Sequence, residues 1–432
     1  MSVSTQILTN KTVLVTEPVA EVQTAAIGFW FRAGSRYERP GERGVTHFAE
    51  HLLFKGTDTR RAFDIASSFD RIGGYINAFT ERENVCVYCV VPAVHVQTAL
   101  DILCDMTERS VFDPEEVERE RAVIESEIIS SQDDAEEAAL DAASEAVWPN
   151  HPVSASISGS VKDVEKLTRD QVYRWYRERF ASGALTVCLA GNIDAASAAR
   201  RLETLSVRSE PPADDIGLVV SAPEWKRGVV FQEAPFRQTQ FFAQFPLPVP
   251  FDERQYYSWA ILNALAGDTM SSRLFQKLRE ESGFCYNVYS FTTFYADAGC
   301  WCAYASSAKR YGLRLVKTLF RELRALREQG FTEDEVTAAK EHLCGEEIIS
   351  SEDMEYRMKR LARNYTYGFP QRSTADVVDC IRSITAEELS AALRILCDFD
   401  RAALLVYGPR VTERMKGQLV AASEIVQSDS DR

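Results

Sequence analysis

Two histidines and a glutamate lie close together early in the chain, in the order His47, Glu50, His51. No proline or glycine interrupts residues 45–55, so this stretch can form a helix. On a helix, His47 and His51 lie one turn apart on one face, where two imidazole nitrogens can bind the same zinc ion. Glu50 lies on the same side and can reach a metal-bound water without ligating the metal. The spacing therefore predicts a zinc-dependent hydrolytic site with Glu50 as the general base.

The order of these residues is H-x-x-E-H, the reverse of the commoner H-E-x-x-H. The alternative is a pair of helical histidines that only cap or pack. The chain has five histidines, and two of them at ligand spacing with a glutamate between them favour the metal interpretation.

A long helix is expected to supply a third ligand. It begins at residues 113–114, where a capping aspartate precedes a proline, and we expect it to continue through the acidic residues 133–137. Glu120 and Glu127 are seven residues apart and share one face, whereas Glu125 projects elsewhere. Helical geometry selects this pair but does not decide which member ligates, since the other can hydrogen-bond a ligating imidazole. For any single glutamate of this helix, solvated surface is the alternative.

Composition indicates a globular protein. The chain is 45% hydrophobic and 26% charged, which is typical of a folded protein. Its 432 residues are enough for two or three domains. The net charge is −15 and no basic stripe stands out, so nucleic acid is not expected as a partner. An acidic surface would attract peptides, basic ones in particular.

The start of the chain has no basic segment followed by an apolar run, and no stretch is apolar enough to span a bilayer. We therefore expect a cytoplasmic protein without a membrane partner. The ten cysteines are interpreted as buried free thiols. Cys86 and Cys89 have a metal-binding spacing, but they lie in a strand-like run and so belong to the core.

The pattern of the first half returns after residues 209–215, an acidic stretch with two prolines that is typical of a linker. Residues 112–117 are echoed by 331–336, and 127–131 by 347–351, at an offset of roughly 220 residues. No H-x-x-E-H recurs in residues 265–274, where the second copy would fall. We predict a duplication, with a zinc-binding domain at 1–210 and a repeat without metal ligands at 216–432.

Together these segments resemble the pitrilysin family of peptidases, in particular its short branch, which is similar to the mitochondrial processing peptidase. The resemblance covers nearly the whole chain. It is carried by residues 34–38, 47–57, 73–80, 118–128, 190–192 and 270–286.

The resemblance implies that His47, His51 and Glu127 bind one zinc ion per active site and that Glu50 is the general base. It also decides between the two acids, because Glu120 matches a carboxylate that supports the ligands. A sheet edge is expected to take the substrate as an added β-strand. Its residues are Asn77, Ala78, Phe79 and Thr80.

Arg279 and Tyr286 match a family pair that holds the substrate backbone and polarises the scissile carbonyl. Without the family they would be interpreted as a surface arginine and a core tyrosine. The implied fold is α+β, with two homologous α/β-sandwich halves, each a sheet with packed helices. In short members two subunits close into a chamber, so Arg279 and Tyr286 would act on the metal half of a partner, in a homodimer or in a heterodimer with a similar chain.

We expect a zinc-dependent endopeptidase that cleaves unfolded peptides inside such a chamber. The alternative is a non-catalytic peptide-binding or partner subunit of a heterodimer, which the intact H-x-x-E-H and Glu127 disfavour. A zinc enzyme of another class is disfavoured by the match at Arg279 and Tyr286.

Overall fold

The computed structural model describes residues 3–208 and 221–425. The predicted linker at 209–215 lies outside these ranges. The chain forms two compact units, and each contains one sheet with helices packed on it. The first unit comprises Met1–Ser130, Ala155–Ser221 and Ile349–Thr374, and the second comprises Ser131–Ser154, Ala222–Ile348 and Ala375–Arg432. The units thus differ from a linear division near residue 210, because each includes a segment from the other half of the sequence.

Eleven strands form the two sheets within the described residues. They are β1 (Ser4–Ile7), β2 (Val13–Pro18), β3 (Thr24–Phe31), β4 (Tyr75–Thr80), β5 (Val85–Pro92), β6 (Leu185–Gly191), β7 (Gly228–Glu233), β8 (Gln238–Leu247), β9 (Val288–Phe294), β10 (Gly299–Ala308) and β11 (Ala403–Gly408). The strand order is β1-β2-β6-β3-β5-β4 in the first sheet and β7-β11-β8-β10-β9 in the second.

Fifteen α-helices surround these sheets in the described ranges. They are α1 (Val45–Leu53), α2 (Ala62–Ile72), α3 (Val96–Arg109), α4 (Pro114–Asp133), α5 (Ala135–Val147), α6 (Val161–Val164), α7 (Arg169–Tyr176), α8 (Ala195–Leu202), α9 (Glu253–Asn263), α10 (Gly312–Gln329), α11 (Glu333–Ser350), α12 (Met354–Tyr367), α13 (Thr374–Ser383), α14 (Ala386–Leu396) and α15 (Glu413–Ser423).

The first sheet has an apolar layer on each face. One face packs on α1, α3 and α7 in a core that includes Phe29, Phe48 and Trp175. The other face is covered by α12, whose Met358 packs on small and apolar strand residues such as Ala26. Because side chains alternate along a strand, both layers are built from the same strands.

The second unit repeats this plan. Its main core lies between its sheet and α9, α10 and α14. Its other face is covered by α5, where the Gln244 side chain of β8 donates a hydrogen bond to the Ala143 carbonyl. The helix on this outer face comes from the first half of the sequence, just as α12, on the first sheet, comes from the second half.

The expectation of one continuous helix through residues 133–137 is wrong. α4 ends at Asp133, and Asp134 has extended backbone angles (φ −83°, ψ 120°). Its carboxylate accepts hydrogen bonds from the amides of Glu136 and Glu137, so it caps a new helix.

One other expectation is confirmed, since Cys86 and Cys89 are buried free thiols in β5. Across the described residues, no helix combines the length and apolar character that crossing a membrane requires.

Candidate metal centre

The helix that carries the two histidines, α1, is anchored by its apolar side. Val45, Phe48 and Leu52 recur at helical spacing and are fully buried in the first core. The helix follows Gly44, which has a left-handed backbone (φ 83°) and no capping side chain. Glu38 caps it instead, because its two carboxylate oxygens each accept a 2.9 Å hydrogen bond, from the Gly44 and Thr46 amides.

Three predicted ligands converge beside this helix. The Nε2 atom of His47 lies 3.6 Å from Oε1 of Glu127, and Nε2 of His51 lies 3.4 Å from its Oε2. One ligand atom from each residue can be chosen so that all three lie within 4.8 Å of one another. In the described part of the chain, this is the one group of three such side chains that could hold a metal ion.

The surroundings of the two imidazoles suit metal binding. Burial, followed by the charge of His51, lowers the pKa of His47 to about 4, so its ring is neutral at physiological pH. His51 Nδ1 lies 3.0 Å from Oε2 of Glu120, and this contact orients the ring and leaves Nε2 facing Glu127. The other oxygen of Glu120 lies 2.5 Å from Nζ of Lys55.

Glu50 is buried next to this group and has a partner of its own. The Thr80 hydroxyl, at the end of β4, donates a 2.5 Å hydrogen bond to Oε2 of Glu50. Burial raises the pKa of Glu50, although the Thr80 hydrogen bond opposes the shift. A carboxylate whose pKa is raised accepts a proton more readily, as a general base requires.

The predicted substrate edge, β4, is a true sheet edge. Within the described residues it pairs with β5 alone, so its other side leaves backbone N–H and C=O groups unpaired by the sheet. Ala78 packs toward the core that contains α1, and Phe79 packs toward α12. Asn77 is exposed.

The loop of residues 34–38 contacts both α1 and the turn that follows β4. Arg36 donates a 2.7 Å hydrogen bond to Glu83 in the β4–β5 turn, and its amide donates to the Arg82 carbonyl. Gly34 lies so close to the Arg82 backbone that a Cβ would come within 2.2 Å of it. Two residues after Arg36, Glu38 caps α1. Sequence reasoning used residues 34–38 as a family signature but did not assign these roles.

Arg279 and Tyr286 lie in the second unit and contact each other. The Arg279 guanidinium lies 4.8 Å from the Tyr286 ring centroid, and its Nε lies 3.6 Å from a carboxylate oxygen of Glu280. Tyr286 is 73% exposed, so its interpretation as a core tyrosine is excluded.

The donor set of the first unit fits zinc. Two imidazole nitrogens and one carboxylate oxygen are ligands that catalytic zinc sites use, with a fourth position left for water or substrate. The Glu127 side chain remains 50% exposed, so the site is open on one side.

Comparison with known proteins gives the family. Residues 13–161 match the family described as insulinase (peptidase family M16), and residues 166–343 match the peptidase M16 inactive domain. This chain belongs to peptidase family M16, which confirms the resemblance drawn from its sequence.

Its relatives match nearly the whole chain. A protein from Streptomyces coelicolor named as an uncharacterized zinc protease is 34% identical over 403 residues, which cover 92% of this chain and 87% of the relative. YmxG of Bacillus subtilis, with a similar name, is 30% identical over 393 residues, or 91% of this chain and 95% of the relative.

Solved structures confirm the α+β fold. A peptidase M16 inactive domain from Pseudomonas fluorescens matches with a TM-score of 0.86 at 17% identity, over 95% of this chain and 99% of that one. An M16-like peptidase from Alicyclobacillus acidocaldarius matches with a TM-score of 0.79 at 21% identity, over 95% and 98%.

Proposed function

We propose that this protein is a zinc-dependent endopeptidase that cleaves unfolded peptides. The observation that carries the proposal is the convergence of His47, His51 and Glu127, with Glu50 held beside them by Thr80. The family supports it, because relatives that match nearly the whole chain are named uncharacterized zinc proteases.

The metal ligands would be His47, His51 and Glu127, with one ion per site. Zinc bound there supplies a Lewis acid that acidifies water and polarises a carbonyl. Glu120 supports the site by fixing the His51 ring.

The remaining chemistry belongs to side chains of the protein. Glu50 takes a proton from the attacking water and passes it to the leaving amine, which requires a carboxylate that can both bind and release a proton. The unpaired edge of β4 holds the peptide as an added strand. Tyr286 donates a hydrogen bond to the scissile carbonyl and Arg279 holds the peptide backbone. These last two roles are inferred from the family resemblance.

The substrates proposed are extended peptides, basic ones included, because strand addition needs a backbone that is free of its own secondary structure. We further propose a dimer that encloses a chamber, as the family resemblance implies. A compact folded protein should then be cleaved far more slowly than a short basic peptide.

The decisive experiment combines metal analysis with peptide cleavage. The purified protein should contain about one zinc per chain, cleave an unfolded peptide, and lose activity reversibly with a chelator. Replacing Glu50 with Gln should lower kcat by at least about 10²–10⁴-fold while zinc stays bound. Full activity of Glu50→Gln would refute the base assignment. A zinc-loaded protein that binds peptides without cleaving them would instead support the non-catalytic partner subunit.

A further inference from the structure

A second group of polar and aromatic side chains lies on the face of β4 opposite to α1. The even-numbered residues of this strand pack on or reach the core that contains α1. Because side chains alternate along a strand, Tyr75, Asn77 and Phe79 face the opposite side, where α12 covers the sheet.

Glu355, in the first turn of α12, connects these side chains. Its Oε2 accepts a 2.6 Å hydrogen bond from the Tyr75 hydroxyl, and its Oε1 accepts one of 2.6 Å from Nζ of Lys359. The same Nζ lies 5.3 Å from the Phe79 ring centroid and 4.7 Å from that of Tyr88. One carboxylate therefore holds an aromatic ring and an ammonium group over one face of the edge strand.

This face remains open to a ligand. The Tyr75 side chain is 49% exposed, and the Lys359 side chain is 40% exposed. Lys359 and Glu355 form an ion pair, so these two side chains add no net charge beside the aromatic surface. A peptide added to β4 would project every second side chain onto this face, where cross-strand aromatic pairs are favourable.

We propose that Glu355 is a positioning residue that sets the side-chain preference of the bound peptide. By holding Tyr75 and pairing with Lys359, it forms a subsite for an aromatic or large aliphatic side chain and disfavours a charged one. This proposal rests on the proposed function, since it assumes that peptides add to β4.

The duplication provides a matched control. Glu136, in the first turn of α5, accepts hydrogen bonds from the hydroxyls of Tyr289 (2.7 Å) and Tyr304 (3.0 Å) on the second sheet. In both helices an aspartate two residues earlier, Asp134 or Asp353, is the N-cap. Glu136→Gln therefore makes the same chemical change, to a carboxylate in the same local setting, in the unit without metal ligands.

The test uses peptides that are identical except for one residue, which is Phe, Glu or Lys, moved along the sequence. The wild type should show its highest kcat/KM with Phe at alternate positions. In Glu355→Gln the Lys359 charge is left unpaired, so the ratio of kcat/KM for the Glu and Lys peptides should rise roughly three- to fivefold. The change in kcat/KM should come from KM rather than from kcat, since Glu355 does not contact the reacting atoms.

Two further variants keep the test valid if Glu355→Gln folds poorly. Lys359→Gln should shift the ratio in the opposite direction, and Tyr75→Phe should weaken selectivity while its ring is kept. An unchanged ratio in Glu355→Gln and Lys359→Gln would overturn the proposal, as would an equal shift in Glu136→Gln.

Binding separates this proposal from the proposed function. The same three peptides, carrying a fluorophore, are titrated against Glu50→Gln and the double variant Glu50→Gln/Glu355→Gln, and anisotropy is measured. A shift in the ratio of Kd values between the two variants supports the subsite, whether or not the wild type cleaves the peptides. If the wild type cleaves none of them, the proposed peptidase activity is refuted but the subsite is not. Equal Kd ratios in the two variants would overturn the subsite even if the wild type is an active peptidase.

Discussion

At the scale of single residues, Thr80 connects the edge strand β4 to Glu50, the proposed base. It was expected to bind substrate, and its hydroxyl donates to Glu50. A hydrogen bond to a charged group contributes about 1.5–3 kcal/mol. Thr80 therefore fixes the Glu50 carboxylate in one orientation relative to the edge where a peptide would add.

Replacing Thr80 with Val keeps the shape of the side chain but removes this donor. We expect kcat to fall by about ten- to a hundredfold, which is the kinetic equivalent of one hydrogen bond to a charged group. KM should change little, because the backbone groups of β4 stay in place. Thr80→Ser, which keeps the hydroxyl, should restore most of the rate. Steady-state kinetics of both variants checks this, and equal losses in the two would mean that Thr80 acts by packing.

Sequence spacing identified the residues of the candidate metal site but not all of their contacts. The one-turn separation of His47 and His51 follows from helix geometry alone. The same geometry left Glu120 and Glu127 equivalent, since both lie on one helix face. The structure separates them, with Glu127 near both Nε2 atoms and Glu120 at Nδ1 of His51. The Thr80–Glu50 contact was missed because no local pattern reports which strand end meets which helix.

At the scale of elements, the loop of residues 34–38 sets where α1, the helix with the two histidines, begins. A helix that follows a glycine has no side chain of its own to satisfy its first amides. Glu38 supplies the acceptors from six and eight residues upstream, and Arg36 ties the same loop to the β4–β5 turn. The loop thus fixes both the helix with the ligands and the edge strand.

Removing these acceptors should loosen the helix start. We expect Glu38→Ala to lower the free energy of unfolding by about 1–3 kcal/mol, because two buried amides lose their partner. Zinc affinity should fall as well, since His47 is the third residue of α1. Denaturant unfolding and a competitive zinc titration measure the two effects. Replacing the exposed Glu21 with Ala is the control and should change neither quantity; normal zinc affinity in Glu38→Ala would contradict a positioning role.

The helix around the two histidines follows from sequence, whereas the length of the next predicted helix does not. Residues 45–55, which contain no proline or glycine, predict a helix that the structure contains as α1. The break after Asp133 was missed because acidic residues 133–137 suit both a helix interior and a helix start. A new helix starts if the carboxylate of Asp134 caps it, and otherwise the first helix continues through these residues.

At the scale of the whole molecule, each half of the sequence contributes one helix to the unit formed mainly by the other half. The repeat in the sequence predicts two halves, at residues 1–210 and 216–432, but it could not show that α5 belongs to the second unit and α12 to the first. Such membership is decided by packing between residues far apart in the chain, for example Met358 against Ala26. Local patterns carry no information about it.

Assembly can be tested by mixing two inactive variants. Glu50→Gln disables the metal half, and Tyr286→Phe disables the proposed carbonyl donor. If Tyr286 acts on the partner's metal half in a homodimer, an exchanged equal mixture should regain about a quarter of wild-type activity, because half the dimers are mixed and each holds one intact site. Activity is assayed after subunit exchange is verified. Mixed dimers no more active than the separate variants would show that the pair does not act across subunits.

The exchange of α5 and α12 has a practical consequence for dissecting the gene. A cut at the acidic stretch after residue 208 would yield two fragments, each carrying a helix whose sheet is on the other fragment. Each fragment would expose an apolar sheet face to water and should aggregate when expressed alone. Co-expression of both fragments should rescue solubility, a result that would show that the duplicated halves are not independent folding units.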